Sequence, residues 1–249
     1  MFTFKRFSVK DDRTAMKVGV DSVLFGSWMD VSGAQRLLDA GCGSGLLALM
    51  AAQRLSDAGG ADFTVDAVDI DAGAVADSSD NFASSPWSRH LKAHHISLQD
   101  FADELVRMPS GSPDLPNLPD SPSVGAYDHI FCNPPYYDDS PASGSVARDT
   151  ARSTDTLSRR DLLFAASKLL NDRGRLSLIL PFDQGKKMIL EATLFGWFTT
   201  RQCFVKTKST ALPKRLMLEF SPSPGTRMET ETLVIGDERY LSLTSGFYL

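Results

Sequence analysis

Cysteine is scarce in this chain: three in 249 residues, at positions 42, 132 and 203, with no C-x-x-C pair. That spacing excludes a disulfide framework and the common zinc patterns, so no metal is expected and the thiols fit a reducing cytosol. No apolar stretch approaches the ~20 residues of a membrane span, and no membrane partner is expected. The opening residues, MFTFKRFSVKDD, lack the apolar core and cleavage site of a secretory leader, so the expected location is cytoplasmic. Basic residues are not in excess: 26 Lys and Arg against 31 Asp and Glu leave a net charge of −5. That balance argues against a surface coated by nucleic acid but leaves room for a local basic face. Internal repeats and heptads are also missing, which removes solenoids and coiled coils.

What is present is an alternation of short apolar runs and helix-forming stretches. Arg36 to Ala40 (RLLDA) reads as a buried strand, Gly41-Cys42-Gly43-Ser44-Gly45 as a tight turn, and Leu46 to Leu55 as a helix. A strand, glycine turn and helix in that order bring backbone N–H groups close to a ligand. The G-x-G-x-G spacing differs from the dinucleotide fingerprint, and Asp39 just before it would repel a pyrophosphate. A cationic or zwitterionic ligand fits better, and S-adenosylmethionine, with its sulfonium and amino groups, is the natural candidate. Asp39, Gly41, Gly43 and Gly45 are the residues that would cradle it.

One βαβ unit later, the strand Phe63 to Val68 ends in Asp69-Ile70-Asp71. Asp69 is placed to bind a ribose diol, and Asp71 to cap the helix Ala72 to Phe82. A third strand, Leu91 to Ser97, leads to Gln99-Asp100-Phe101. Asp100 suits either an adenine amino group or a helix cap. Residues 108–125 (MPSGSPDLPNLPDSPSVG) hold five prolines and no apolar periodicity, which marks a loop insert.

The strand Tyr127 to Cys132 then ends in Asn133-Pro134-Pro135-Tyr136. An exocyclic amine is a poor nucleophile because its lone pair is delocalised into the ring. The Asn133 side-chain oxygen and the Pro134 carbonyl can each accept one of its hydrogens and free that lone pair. The two prolines stiffen the turn, and Tyr136 offers a stacking face for a base. A plain strand-ending turn would use the same residue types.

Beyond this motif, Arg148 and Arg152 lie in a polar loop, as phosphate contacts or as solvated surface charge. Helices follow at Asp161 to Leu170 and Gln184 to Phe195, with a strand, Gly174 to Leu180, between them. Trp197 to Val205 and Lys214 to Phe220 read as an antiparallel pair at one edge, and Leu233 to Ile235 as a short further strand. Arg201 through Arg215 carries five basic residues and no acid, and Lys206, Lys208, Lys214 and Arg215 suit RNA phosphates or a solvated hairpin tip. Near the N-terminus, Phe2 to Val9 alternate as a small hairpin or an edge strand does. Val20, Val23, Leu24 and Trp28 recur at helical spacing, with Asp21 a candidate cap.

DAGCGSG, DID, QD and NPPY in this order resemble class I S-adenosylmethionine-dependent methyltransferases. FTFKRFSVKDDRTAMKVGVDSVLFGSW, SGLLALMAAQR, NPPYY and the ending SGFYL are similar to the bacterial tRNA(Val) adenine N6-methyltransferase family, over nearly the whole chain apart from the insert. The resemblance implies a single Rossmann-like domain over residues 1–249, with an extension at 1–34. Its doubly wound, mostly parallel sheet would have seven strands and an antiparallel edge strand. It implies methyl transfer to the N6 of adenine 37, beside the anticodon of a tRNA, by a chain expected to be monomeric. Asn133 and Tyr136 would meet the base, and Asp39, Gly41, Asp69 and Asp100 the cofactor. The MKVGVD match adds Lys17, Gly19 and Asp21 on the cofactor or substrate side. The rival readings are a release-factor glutamine N5-methyltransferase, another RNA or DNA adenine methyltransferase, and a catalytically idle RNA-binding module.

Overall fold

The computed structural model describes residues 1–107, 125–134, 157–225 and 227–248. Residues 108–124 of the insert, Pro135, Tyr136, Arg148 and Arg152 lie outside them. A short antiparallel hairpin, β1 (Phe2–Thr3) and β2 (Ser8–Val9), opens the chain. The main sheet contains β3 (Arg36–Ala40), β4 (Thr64–Asp69), β5 (Leu91–His95), β6 (Tyr127–Cys132), β7 (Leu170–Pro181), β8 (Phe198–Lys206), β9 (Arg215–Ser221) and β10 (Glu229–Val234). Their spatial order is β5-β4-β3-β6-β7-β9-β8-β10, and only β9 runs against the rest.

The sheet therefore has eight described strands where seven were expected, and its antiparallel strand lies third from the edge rather than on it. β10 makes the difference by pairing parallel to β8 on the outside. Its sequence ETETLV is mostly polar because an edge strand needs to bury little, and within it Leu233 alone is buried. Leu233 to Ile235 captured the inner end of this strand.

The helices sort onto two faces. α1 (Val20–Trp28), α2 (Leu46–Asp57), α3 (Ala72–Ala83) and α7 (Glu238–Thr244) lie on one; α4 (Leu98–Arg107), α5 (Arg159–Leu169) and α6 (Phe182–Leu194) lie on the other. α1 and α5 each bury an apolar stripe: Val23, Leu24, Phe25 and Trp28 from α1, and Leu162, Leu163, Ala166 and Leu169 from α5. Covered on both faces, the central strands are near-continuously apolar, as parallel strands must be. The crossovers diverge between β3 and β6, which are adjacent. The carboxyl ends of two neighbouring strands at such a switch point form a crevice. The glycine turn leaves one of them and Asn133 the other.

Candidate active site

Gly41, Gly43 and Gly45 all take positive φ, at 73°, 54° and 76°. A β-carbon is disfavoured in that region. Their surroundings differ. Among the described residues, nothing lies within 4 Å of where a Cβ on Gly41 would point, and Gly43 would meet only Thr14 Oγ1 at 3.6 Å. A Cβ on Gly45 would stand 2.5 Å from the Phe82 ring. Gly41 and Gly43 leave room for a ligand, whereas Gly45 is glycine to seat α2 against α3.

Two carboxylates frame this turn. Asp39 is 1% exposed; its Oδ2 accepts the Ala48 N–H at 3.1 Å, while Oδ1 is buried without a partner among the described residues. Burial pushes the carboxyl up to about 8, the Ala48 N–H opposing this and nearby Asp69 adding to it. Asp69, at the end of β4, accepts from Gly43 N–H and Asp71 N–H, both at 2.9 Å. It thus holds the turn directly. Asp71 caps α3 through Gly73 N–H. Burial pushes the Cys42 and Cys132 thiols up, so neither is a nucleophile near neutral pH.

Asp100 is exposed in the first turn of α4 and exchanges two hydrogen bonds with Ser97. The Ser97 hydroxyl donates to its carboxylate at 2.7 Å and accepts its N–H at 3.0 Å. The cap of α4 is therefore Ser97, and Asp100 is its reciprocal partner.

The segment 10–18 lies over the glycine turn and is fastened to α3. Asn81 accepts from Lys10 N–H and donates to both Lys10 O and Ser44 O, at 2.8–2.9 Å. Asp77 accepts from the N–H groups of Arg13 and Thr14 at 2.8 and 2.9 Å. Lys17 points its ammonium at the carbonyls of Asp11, Asp12 and Thr14, so it organises this strap. Gly19 is the extended N-cap residue of α1. Asp21 does not cap α1; it pairs with Arg215 at 2.7 Å. The sequence reading did not anticipate this strap.

A cavity of about 50 Å³ is lined by Met16–Val18, Ser22, Gly41–Ser44, Leu46, Leu47 and Asn133. The first turn of α1, the glycine turn and the end of β6 thus converge on one point. The Asn133 Nδ2 donates to Ser22 Oγ at 2.9 Å. Pro134 is buried behind it. The turn joining β8 to β9 lies at the same edge of the sheet, because Arg215 pairs with Pro181 at the carboxyl end of β7. Phe182 N–H bonds Lys214 O there at 3.1 Å, and Lys208 and Lys214 are exposed.

This sheet order and crevice define the fold of class I S-adenosylmethionine-dependent methyltransferases. A predicted O-methyltransferase from Agrobacterium tumefaciens matches with a TM-score of 0.59 at 17% identity, over 91% of this chain and 96% of that one. A proposed class I S-adenosylmethionine-dependent methyltransferase from Listeria monocytogenes matches with a TM-score of 0.55 at 14% identity, over 92% and 71%. Residues 24–107 match the family model of ribosomal protein L11 methyltransferase, which covers the glycine turn but not Asn133. The full chain is similar to the tRNA1(Val) (adenine(37)-N6)-methyltransferases of Cronobacter sakazakii, 37% identical over 94% of that protein, and of Flavobacterium psychrophilum, 38% identical over 99%. The chain belongs to this tRNA1(Val) adenine-37 N6-methyltransferase family.

Proposed function

We propose that this protein transfers a methyl group from S-adenosylmethionine to N6 of adenine 37 in tRNA(Val), in the cytoplasm. The observation that carries the reading is the placement of Asn133 in one cavity with the glycine turn and the start of α1. Full-length similarity to enzymes named for this reaction supports it.

The residues present fit the cofactor. The unpartnered Asp39 Oδ1 suits a cationic ligand, and the open space beside Gly41 suits close backbone approach. Asp69 would take the ribose, Asp100 the adenine amino group, and the Lys17–Gly19 backbone the methionine end. When bound, S-adenosylmethionine supplies an electrophilic methyl group. Asn133 Oδ1 and the Pro134 carbonyl accept the two N6 hydrogens, which localises the lone pair on nitrogen. Tyr136 stacks on a base turned out of the anticodon loop. Methylation makes the nitrogen strongly acidic, so its proton leaves afterwards to solvent and no dedicated base is needed. Lys206, Lys208 and Lys214, with Arg148 and Arg152, supply phosphate contacts. The chain acts as one domain.

The test uses tritium-labelled S-adenosylmethionine with tRNA from a strain lacking the enzyme, followed by nucleoside analysis. Label is expected in N6-methyladenosine; label confined to protein would sink the reading. Asn133→Ala should keep cofactor affinity and lose turnover at least 100-fold (~3 kcal/mol), as for other preorganised polar contacts.

A further inference from the structure

The geometry points to Ser22 as a positioning residue that pins the Asn133 side chain, with the amide nitrogen toward α1. The inference rests on the proposed function for its catalytic consequence, though not for the contact itself. An asparagine amide has one acceptor and two donor hydrogens. An exocyclic amine presents two donors, so Asn133 helps only when Oδ1 faces it. A half-turn about the last side-chain bond would set NH₂ against NH₂. That bond has a broad, two-fold preference, so the stiff Pro134 backbone does not decide between the two orientations.

Ser22 pins the side chain. Asn133 Nδ2–H donates to Ser22 Oγ at 2.9 Å, its one side-chain hydrogen bond among the described residues. With the nitrogen held on that side, Oδ1 is directed away from α1. Both residues are half-buried and line the same cavity of about 50 Å³, so water competes poorly for the contact. The platform beneath Ser22 is firm. Asp21 is paired with Arg215 at 2.7 Å, and Val23, Leu24, Phe25 and Trp28 are buried in the core. A polar group on a rigid, packed helix can hold a neighbour's rotamer where a loop residue cannot.

The test compares wild type, Ser22→Ala and Ser22→Thr in the full chain. Steady-state rates are measured with unmodified tRNA(Val) and labelled S-adenosylmethionine, and the ¹⁵N signal of the Asn133 side-chain amide is followed without substrate. Ser22→Ala should lower kcat about five- to tenfold, the worth of one hydrogen bond. The KM values for both substrates should stay within twofold. The amide signal should move and exchange faster. Ser22→Thr keeps the hydroxyl and should restore kcat and the signal. An unchanged kcat in Ser22→Ala, a rise in cofactor KM alone, or no rescue by threonine would overturn the assignment. If the wild type methylated no tRNA, the proposed function would fall. The amide signal would then decide the Ser22–Asn133 contact by itself.

Discussion

Arg215 Nε lies 2.7 Å from Asp21 Oδ2, joining the base of the basic hairpin to the first turn of α1 across 194 residues of sequence. Both side chains are about a quarter exposed, at 27% and 26%. A pair this accessible contributes ~1 kcal/mol or less. Its place, one residue from Ser22, makes it a tether between two parts of the site.

Asp21→Asn, Arg215→Gln and the double variant should therefore behave alike. Each should lower the melting midpoint slightly, and the double variant by less than the sum of the two, since the single variants share the loss of this pair. Arg215→Gln should not raise the KM for tRNA beyond Asp21→Asn. Reversing Lys206, Lys208 and Lys214 to Glu should raise it clearly, with the KM for S-adenosylmethionine unchanged. A tRNA-specific defect confined to Arg215→Gln would make that residue a phosphate contact instead.

Asp39 gives a pH signature. Its folded-state carboxyl, raised to about 8 by burial, stays protonated where the unfolded chain's, near 3.8, is ionised. The sign follows from linkage: the contribution is fully present below about 4 and is lost as pH rises towards 8. Melting midpoints of the cofactor-free wild type should fall across that window relative to Asp39→Asn, which keeps the Ala48 N–H bond and cannot ionise. A cationic ligand favours the carboxylate, so S-adenosylmethionine should bind the wild type with proton release between pH 6 and 8. Calorimetry in buffers of different ionisation enthalpy would read this directly. Equal proton release by Asp39→Asn would remove Asp39 from the account.

The three glycines should separate into two kinds. Gly45→Ala forces a left-handed backbone and drives a methyl into Phe82; at ~1–2 kcal/mol for the first and ~1–3 kcal/mol for the second, it should be severely destabilising. Gly41→Ala meets open space, so it carries ~1–2 kcal/mol of backbone strain alone while filling the ligand's approach. Its cofactor affinity should fall by more than its stability does. Matching losses of melting temperature in the two variants would contradict this division.

The legibility of these elements follows from what holds them. β3 and β6 were readable to the residue because each is a short apolar run closed by a hard turn signal, Gly41 in one case and Pro134 in the other. β10 was read short, since an edge strand in which Leu233 alone is buried, and whose half-buried Glu231 accepts from Trp28 Nε1, carries little apolar signal. The strap over the glycine turn was missed because its bonds join polar groups some 60 to 70 positions apart, as between Lys10 and Asn81. A trace was there: Asp77, Ser78 and Asn81 are polar yet share the buried face of α3. Ser22 left a similar trace, a hydroxyl beside the apolar stripe of Val23, Leu24 and Trp28. Which strand neighbours it would meet was not contained in that local pattern.

The reversed direction of β9 has a consequence for how this architecture can vary. Because β8 and β9 turn around at the carboxyl edge, the loop between them reaches the crevice from the side of the sheet remote from Asp69. Its length and charge can change while the glycine turn, the strap and Asn133 keep their places. Under the proposed function, such a layout would let recognition of a large substrate drift between relatives without disturbing the residues assigned to methyl transfer.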